Sequence, residues 1–464
     1  MSILETLILV GLCLLVWGAG RGRARVYLLL ALSVGVIFWL QPPLPIRNLD
    51  FYLPLLTLAL TVTGWLLTAP AEQRTWRTML PALGVMGGVV LLLAGSRIVG
   101  LDSYLLPARP PRLEVTLVAL GMVMLLLLLA HRLAGGRVAL IAAIVVLIAL
   151  LVVIKSPLLT TQVSQGLRLL TGQAASAAAG LDIRWLGFSY VAFRLIHTLR
   201  DRQMGRLPDV SLAEYAVYVL FFPSFTAGPI DRLERFIKDL RQPLRLASAD
   251  WLDAGQRLAV GLFKKFVVAD TLALFALNDR LAAEVAAPGW MWVVVYAYAL
   301  QIYFDFSGYT DIAIGAARLV GIRLPENFAA PYLKPNLTQF WNAWHMTLTQ
   351  WFRAYFFNPL TRALRSSSRP LPAWGMILVS QVATMLLIGL WHGISWNFVL
   401  WGLWHGLGLF AHNRWSDFTR ARAAAWAATP ARQSLLAVSG AALNFHFVAL
   451  GWVFFALSSP GASW

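Results

Sequence analysis

Charged residues and cysteine are both scarce in this chain. Only 13% of the 464 residues are charged and 59% are hydrophobic, whereas a soluble domain is about a quarter charged and about half apolar. This composition excludes an ordinary soluble fold, because so much apolar surface needs lipid around it. The single cysteine, Cys13, excludes an intrachain disulfide, and its place in an apolar run argues against a thiol nucleophile.

Long apolar runs fill the first third of the sequence. Each run, with its flanks, approaches the roughly 20 residues with which a helix crosses a bilayer, and none alternates as a membrane strand does. We therefore predict an all-α, polytopic membrane protein of about 10 to 12 transmembrane helices with additional re-entrant or interfacial helices. The runs are Ile3–Trp17, Val26–Leu40, Leu53–Leu67, Ala82–Leu93, Leu117–Ala130 and Val138–Ile154.

The net charge of +17 would suggest a nucleic-acid partner in a soluble protein, but in this chain a membrane surface is favoured instead. The basic residues lie mostly in loops between apolar runs, where anionic lipid attracts them. The basic run Arg21–Arg25 predicts a cytoplasmic loop and places the N-terminus outside. No basic segment precedes the first apolar run, which we therefore predict to be a retained helix and not a signal peptide.

The sequence divides into two parts of different composition, which a connecting segment joins. Residues 1–155 are predicted to be scaffold helices, residues 156–182 a connecting loop, and residues 183–464 the functional core. The core interleaves polar and aromatic residues, and polar groups at membrane depth must face protein or a water-filled cavity. Within 229–258, an amphipathic helix is predicted from apolar residues at helical spacing: Leu233, Phe236, Ile237 and Leu240.

Gln339–Pro359 is the most aromatic segment and contains His345. As one continuous helix it would present four polar residues on a single face. That face would line a cavity, or the segment would form an aromatic belt at the membrane surface; composition alone slightly favours the belt. The four residues are Asn342, His345, Thr349 and Arg353.

Leu386–His412 contains three further histidines, His392, His405 and His412. On one helix His405 and His412 would share a face and His392 would point elsewhere. The segment has no carboxylate or cysteine, so a metal site is not predicted there. Its glycines predict close helix packing: residues 389, 393, 402, 406 and 408.

Asp305 and Asp311 lie in an apolar context on either side of Ser307. A carboxylate here could orient a histidine, but we favour helix capping by Ser307 or Asp311, since both residue types prefer caps. A Ser–His–Asp hydrolase is not predicted, because the sequence lacks a Gly-x-Ser-x-Gly elbow. His197 and His446, in other apolar stretches, have the pattern of core histidines.

Trp341–Tyr355 resembles the histidine motif of the membrane-bound O-acyltransferase family, in the bacterial branch of alginate O-acetylases and teichoic acid D-alanyl-transfer proteins. Gly389–Gly406 resembles the family's second histidine motif. Further matches follow in the family's order from about residue 183 to 455: Phe222–Ile230, Gly261–Asp270, Tyr303–Asp311, Leu324–Phe328 and Gly451–Phe455.

The resemblance implies that His392 is the catalytic histidine and His345 a second active-site residue, both near the base of a central funnel. It implies a structural role for His405. Two positions depart from the family's pattern. Ala354 stands where the family usually has Asp, and Ala456 stands where the family often has Arg after the motif Gly451–Phe455. The sequence also ends soon after the last motif, whereas many acetylase relatives continue with further helices.

The implied function is an O-acyltransferase of the bacterial inner (plasma) membrane. It would move an acyl group, acetyl by analogy, from a cytoplasmic thioester such as acetyl-CoA or an acyl carrier protein to hydroxyls of an extracytoplasmic polysaccharide, with an extracytoplasmic partner protein and no bound cofactor. His392 would act as general base, because imidazole titrates near operating pH. The predicted substrate-binding residues are Trp341, Asn342, Arg353, Asn397 and Asp305.

Two alternatives stay open at this point. D-alanyl transfer to teichoic acid is compatible with the same motifs. A transporter or flippase of a lipid-linked or acyl carrier molecule would also place polar residues at membrane depth. The sequence shows no internal symmetry of the kind that transporters have, which disfavours the second alternative.

Overall fold

The computed structural model describes residues 2–369 and 371–458, and these residues form helices without a β-strand. They divide into two compact units: Met1–Leu258 with Ala313–Leu324, and Ala259–Ile312 with Pro325–Trp464. The division predicted at residues 155 and 183 stays a prediction.

Seven helices of the described chain are long and apolar enough to cross a membrane. This confirms the all-α, polytopic membrane class, while the total of 10 to 12 spans and the central funnel stay predictions. The seven are Gly22–Trp39, Leu49–Thr68, Trp76–Gly95, Leu113–Leu133, Arg137–Lys155, Ala373–His392 and Pro430–Ala456.

The first unit contains the helices that coincide with the apolar runs of the sequence. Capping boxes begin two of them, with Ser2 and Glu5 at the first and Ser211 and Glu214 at the tenth. In chain order the helices are α1 (Ile3–Ala19), α2 (Gly22–Trp39), α3 (Leu49–Thr68), α4 (Trp76–Gly95), α5 (Asp102–Leu105), α6 (Leu113–Leu133), α7 (Arg137–Lys155), α8 (Pro157–Leu170), α9 (Phe188–Gln203), α10 (Leu212–Leu220), α11 (Leu233–Arg241) and most of α12 (Ser248–Leu262).

Helix α8 corrects the prediction that residues 156–182 form a loop. Ser156 caps α8, and Pro157 follows at the first helical position, where a missing N–H costs nothing. The polar face of the helix is then fixed to the following loop: Ser164 Oγ lies 2.5 Å and Arg168 Nη2 2.9 Å from Asp182 Oδ2. The prediction was wrong because Asp182, which binds the polar residues of α8, lies beyond the end of that helix in the sequence.

Helix α11 confirms the amphipathic helix predicted within 229–258. Its apolar residues Leu233, Phe236, Ile237 and Leu240 are buried. The helix packs against α10 of the same unit. The predicted apolar face therefore contacts protein.

Arg25 is buried near the start of α2 and ties three segments of the first unit together. Its guanidinium donates to the backbone oxygens of Leu240 (3.4 Å), Gln242 (2.9 Å) and Val320 (2.5 Å). Carbonyls at segment ends need such donors when water is excluded. One member of the basic run Arg21–Arg25 therefore has a structural role in addition to any effect on orientation.

The second unit begins within α12 and contains most of α15, whose last residues belong to the first unit. Two π-helical segments, Phe263–Ala269 and Arg353–Phe357, extend α12 and α17. The helices are α13 (Asp270–Ala273), α14 (Asp279–Glu284), α15 (Pro288–Leu319), α16 (Leu337–Trp341), α17 (Met346–Phe352), α18 (Asn358–Arg365), α19 (Ala373–His392), α20 (Trp396–Trp426) and α21 (Pro430–Ala456).

Glycines bring α19 and α20 into backbone contact, as predicted. A Cβ on Gly402 would lie 2.8 Å from Leu386 Cα, and one on Gly406 would lie 2.8 Å from Val382 Cα. Such distances are too short for any side chain, so the close approach requires glycine. This packing fixes the end of α19, where His392 lies.

The aromatic residues around His345 are packed within the second unit. Trp344 stacks on Phe340, with ring centroids 5.6 Å apart, and contacts Trp452 of α21 at 5.0 Å. Trp452 Nε1 donates to Tyr332 Oη over 3.0 Å. Trp341 and Trp344 are both buried. These contacts argue against the aromatic-belt interpretation for this part of the segment.

Replacing Arg25 with Met should lower the free energy of unfolding by about 3 kcal/mol, because buried carbonyls lose their donors. Thermal unfolding of the purified protein in detergent measures the change. Arg23→Met is the matched control: Arg23 lies on the same helix but is exposed, so its loss should leave the melting temperature unchanged. Equal melting temperatures for both variants would contradict the structural role of Arg25.

Candidate functional site

The chain breaks at His345 and does not continue as one helix. Helix α16 ends at Trp341, and α17 begins at Met346. His345 lies between them with φ 42° and ψ 53°, the left-handed conformation that few non-glycine residues adopt. The prediction of one continuous helix over Gln339–Pro359 was therefore wrong.

Asn327 holds the break in place. This residue is fully buried, and its Oδ1 lies 3.1 Å from His345 Nδ1, 3.2 Å from Thr347 N and 2.9 Å from Thr347 Oγ1. Its backbone oxygen accepts a hydrogen bond from Met346 N over 2.9 Å. Asn327 thus binds three consecutive residues, and these bonds offset the strain of the left-handed residue.

His345 itself is buried among rings. Phe306 contacts the imidazole edge-on with ring centroids 4.7 Å apart, and Trp391 lies at 6.4 Å. Within the described chain, Nε2 has no hydrogen-bond partner. Burial lowers the pKa of His345 to about 3, so the ring is neutral near pH 7.

His392 is the last residue of α19 and is half-buried. Its ring contacts Trp391 at 4.4 Å, Phe455 at 4.7 Å and Trp401 at 5.9 Å between centroids. The same indole, Trp391, therefore contacts both His392 and His345. The structure brings the two predicted catalytic histidines to one aromatic cluster.

The second unit also contains a cavity of about 290 Å³, whose lining does not include His345, Trp391 or His392. It contains three of the predicted substrate-binding residues: Trp341, Asn342 and Arg353. Arg353 Nη2 donates to Asn342 Oδ1 over 2.7 Å. The remaining lining residues are Thr338, Thr349, Phe357, Gln381, Thr384, Met385, Ile388, Leu409 and Asn413.

The other two predicted substrate-binding residues do not line this cavity. Asn397 lies in the first turn of α20, and its Nδ2 donates to the Leu457 carbonyl over 2.5 Å. Asp305 lies 2.5 Å from Lys265 Nζ. Both residues thus bind other parts of the second unit, and their proposed contact with substrate stays a prediction.

The capping roles predicted for Ser307 and Asp311 were wrong. Both residues lie inside the 32-residue helix α15, where backbone N–H groups already bind carbonyls one turn earlier. Asp311 instead forms an ion pair with Lys264, with Nζ and Oδ2 2.7 Å apart. A long-range charge partner accounts for this carboxylate.

The remaining histidines separate by burial. His405 is fully buried and contacts Trp341 and Trp401, whereas His412 is only partly buried near Thr338. His197 is a satisfied core histidine, as its sequence pattern indicates, with Nε2 2.9 Å from Asp201 Oδ2. His446 is exposed and bonded to the Ala442 carbonyl, so the core interpretation was wrong there.

Sequence reasoning missed Asn327 and the α19 residues Gln381 and Thr384 of the cavity. Asn327 lies in the family-like motif Leu324–Phe328, which was a usable signal. Gln381 and Thr384 are polar residues three apart in a candidate span, and polar positions inside spans commonly face protein.

The sequence profile of MBOAT, the membrane-bound O-acyltransferase family, matches residues 124–459. The chain is 31% identical over 239 residues to the teichoic acid D-alanyltransferase of Streptococcus thermophilus, covering 50% of this chain and 58% of that protein. It is 32% identical over 281 residues to the probable alginate O-acetylase AlgI of Pseudomonas aeruginosa (60% and 50%). It is 34% identical over 253 residues to the peptidoglycan O-acetyltransferase of Helicobacter pylori (52% and 43%).

The matches thus span about half the length of these curated relatives. The family profile covers both histidine motifs, the loop with Asn327 and most of the described helices. The chain belongs to the membrane-bound O-acyltransferase family.

Proposed function

We propose that the protein is a membrane O-acyltransferase that uses the cluster of His392, His345 and Trp391. The observation that carries the proposal is the contact of one indole ring with both imidazoles. Two histidines in one aromatic, partly desolvated cluster supply the acid–base chemistry that acyl transfer needs. Family membership supports the same reaction class.

The reaction transfers an acyl group from a thioester to a hydroxyl. The hydroxyl oxygen attacks the carbonyl carbon, and His392 Nε2 or Nδ1 removes the hydroxyl proton. The tetrahedral intermediate then collapses with cleavage of the carbon–sulfur bond, and the thiolate takes the proton from the imidazolium. Imidazole suits both steps, because its ordinary pKa of about 6.5 lies near neutral pH.

The size of the cavity favours a small acyl group as the transferred group. Its volume of about 290 Å³ is at the lower end of ligand sites, which span roughly 300–1,000 Å³. The lining combines polar residues such as Arg353 and Gln381 with apolar ones such as Ile388. We propose that it holds the acyl end of a cytoplasmic donor such as acetyl-CoA or an acyl carrier protein thioester.

The acceptor in this proposal is a hydroxyl of an extracytoplasmic polysaccharide, reached from the inner membrane of a bacterium with an extracytoplasmic partner protein. Relatives named as alginate and peptidoglycan O-acetyltransferases support acetyl transfer. A relative named as a teichoic acid D-alanyltransferase supports the second candidate, D-alanyl transfer. Mass spectrometry of surface polymers from cells with and without the protein separates the two.

Replacing His392 with Ala should reduce acyl transfer by at least about 100-fold, because general base catalysis contributes this much or more. The measurement is esterification of an added acceptor by the purified protein with an acyl thioester. His446→Ala is the matched control, since His446 is an exposed histidine of α21 outside the cluster.

Both variants should insert into the membrane and purify like the wild type. Activity near wild type in His392→Ala would contradict the proposed role of this histidine. Turnover by the wild type in detergent, without any gradient, would exclude the transporter alternative.

Filling the cavity should impair use of the donor. Thr384 lines the cavity from α19, and its hydroxyl donates to Ser380 O of the same helix. Thr384→Phe should therefore raise the KM for the donor thioester about tenfold or more, equivalent to about 1.4 kcal/mol of lost binding. Val379→Phe places the same ring on an exposed position of α19 and should leave KM unchanged. Equal KM values in both variants would exclude the cavity as the donor site.

A further inference from the structure

The side-chain oxygen of Asn327 lies 3.1 Å from Nδ1 of His345. We propose that Asn327 is a positioning residue of the acyl-transfer site: it holds His345 with Nδ1 protonated, so that Nε2 accepts a hydrogen bond from an O–H or N–H group of a substrate. This inference rests on the proposed function for its substrate and on the hydrogen bonds of Asn327 for its geometry.

The orientation of the Asn327 side-chain amide follows from its partners. Thr347 N lies 3.2 Å from Oδ1, and a backbone N–H can only donate. The atom facing it must be the oxygen, because a rotated amide would place the N–H groups of Nδ2 against the N–H of Thr347, and two donors cannot bond each other. The Thr347 hydroxyl donates to the same oxygen over 2.9 Å.

The tautomer of His345 follows in turn. Oδ1 of Asn327 only accepts, so the His345 Nδ1 at 3.1 Å must carry the hydrogen. In a neutral imidazole the other nitrogen, Nε2, then has a free lone pair. Nε2 therefore cannot donate to an oxyanion, which argues against an oxyanion-stabilising role for His345.

The backbone makes this arrangement rigid. Asn327 also binds Met346 through its main-chain oxygen, so the residues on the C-terminal side of His345 are held at two points. His345 is left in its left-handed conformation with the ring against Phe306 and Trp391. A fixed ring with one nitrogen engaged presents the other nitrogen in a defined direction.

The substrate group that binds Nε2 must be a hydrogen-bond donor. Nε2 is buried and has no partner among the described residues, and a buried acceptor of this kind needs a donor. The acceptor hydroxyl and an amide N–H of the donor's carrier arm share this chemistry. A carbonyl or carboxylate oxygen does not.

Titratable groups flank this site on each neighbouring element. On α15, Asp305 precedes Phe306 and is paired with Lys265; on α19, His392 follows Trp391; and Glu326 precedes Asn327 in the loop. The pH profile of any variant at Asn327 must therefore be compared with the pH profile of the wild type.

Asn327→Asp is the decisive variant. The carboxylate keeps the accepting oxygen, and Asn327 Nδ2 has no hydrogen-bond partner in the described chain, so its replacement removes no contact. A negative charge beside Nδ1 favours the imidazolium and raises the pKa of His345 by roughly 1–3 units. Because activity requires the neutral ring of His345 as well as the free base His392, the acidic end of the kcat profile should lose activity with two protons instead of one, so that its acidic limb steepens.

Two further variants complete the series. Asn327→Leu removes the fixing oxygen and should lower kcat about 100-fold, since a wrong tautomer can cost up to about 10⁴ in a related arrangement. Thr347→Val removes one donor to the same oxygen without touching His345, and should leave the pH profile unshifted. If Asn327→Leu does not fold, Asn327→Asp and Thr347→Val still test the proposal.

A folded Asn327→Asp protein with the wild-type pH profile would overturn the proposal. When the kcat profile of Asn327→Asp changes as expected, a raised KM of the acceptor identifies its hydroxyl as the group at Nε2, and a raised KM of the thioester identifies the amide; either supports the proposal.

The tautomer can be measured without any assay of activity. Nitrogen NMR of protein labelled with ¹⁵N-histidine, compared with His345→Gln to assign the signal, should show Nδ1 protonated and Nε2 unprotonated. A protonated Nε2 would overturn the inference whatever the enzyme does. The expected tautomer in a protein that transfers no acyl group would instead contradict only the proposed function.

Discussion

The hydrogen bonds that converge on Asn327 determine the arrangement of the second unit's candidate site. Two side-chain donors and one backbone donor bind a single buried oxygen, and each such bond contributes about 1 kcal/mol to stability. Together they offset the roughly 1–3 kcal/mol that a left-handed non-glycine residue costs. The break at His345 then sends Asn342 and Arg353 to the cavity and the imidazole to Trp391. Without the break, one helix face would carry all of these polar groups to the same place.

The first unit follows the same physical constraint with different residues. Arg25 donates to three backbone oxygens, and Arg194 donates to Val219 O and to Ser224. Where water is excluded, one guanidinium can donate to several backbone carbonyls at the ends of segments, which have no hydrogen-bond partner within a helix. In a chain with only 13% charged residues, buried charges thus serve as ties between segments. The ion pair of Arg168 with Asp182 fixes α8 in the same way.

The sequence predicts those features that depend on local periodicity and composition. The all-α membrane class, the amphipathic helix α11 and the glycine-mediated contact of α19 with α20 all follow from spacing along one segment. The features it misses depend on partners far along the chain. His345 leaves the helical path because of Asn327, 18 residues earlier, and Asp311 is bound by Lys264, 47 residues earlier. Helical spacing describes neighbours on one face, so it cannot show a side chain that is bound from elsewhere.

The distribution of hydrogen bonds within His345 is itself an argument for function. A buried nitrogen without a partner costs roughly 1–3 kcal/mol, and a purely structural position would be more stable with an apolar side chain. At His345 the protein satisfies Nδ1 through a residue that is itself fully buried and leaves Nε2 unpaired within the described chain. Phe306 and Trp391 contact His345 by ring packing, which does not by itself require a histidine in a strained backbone conformation. A group that enters and leaves the site accounts for the free nitrogen, the fixed tautomer and the strain together.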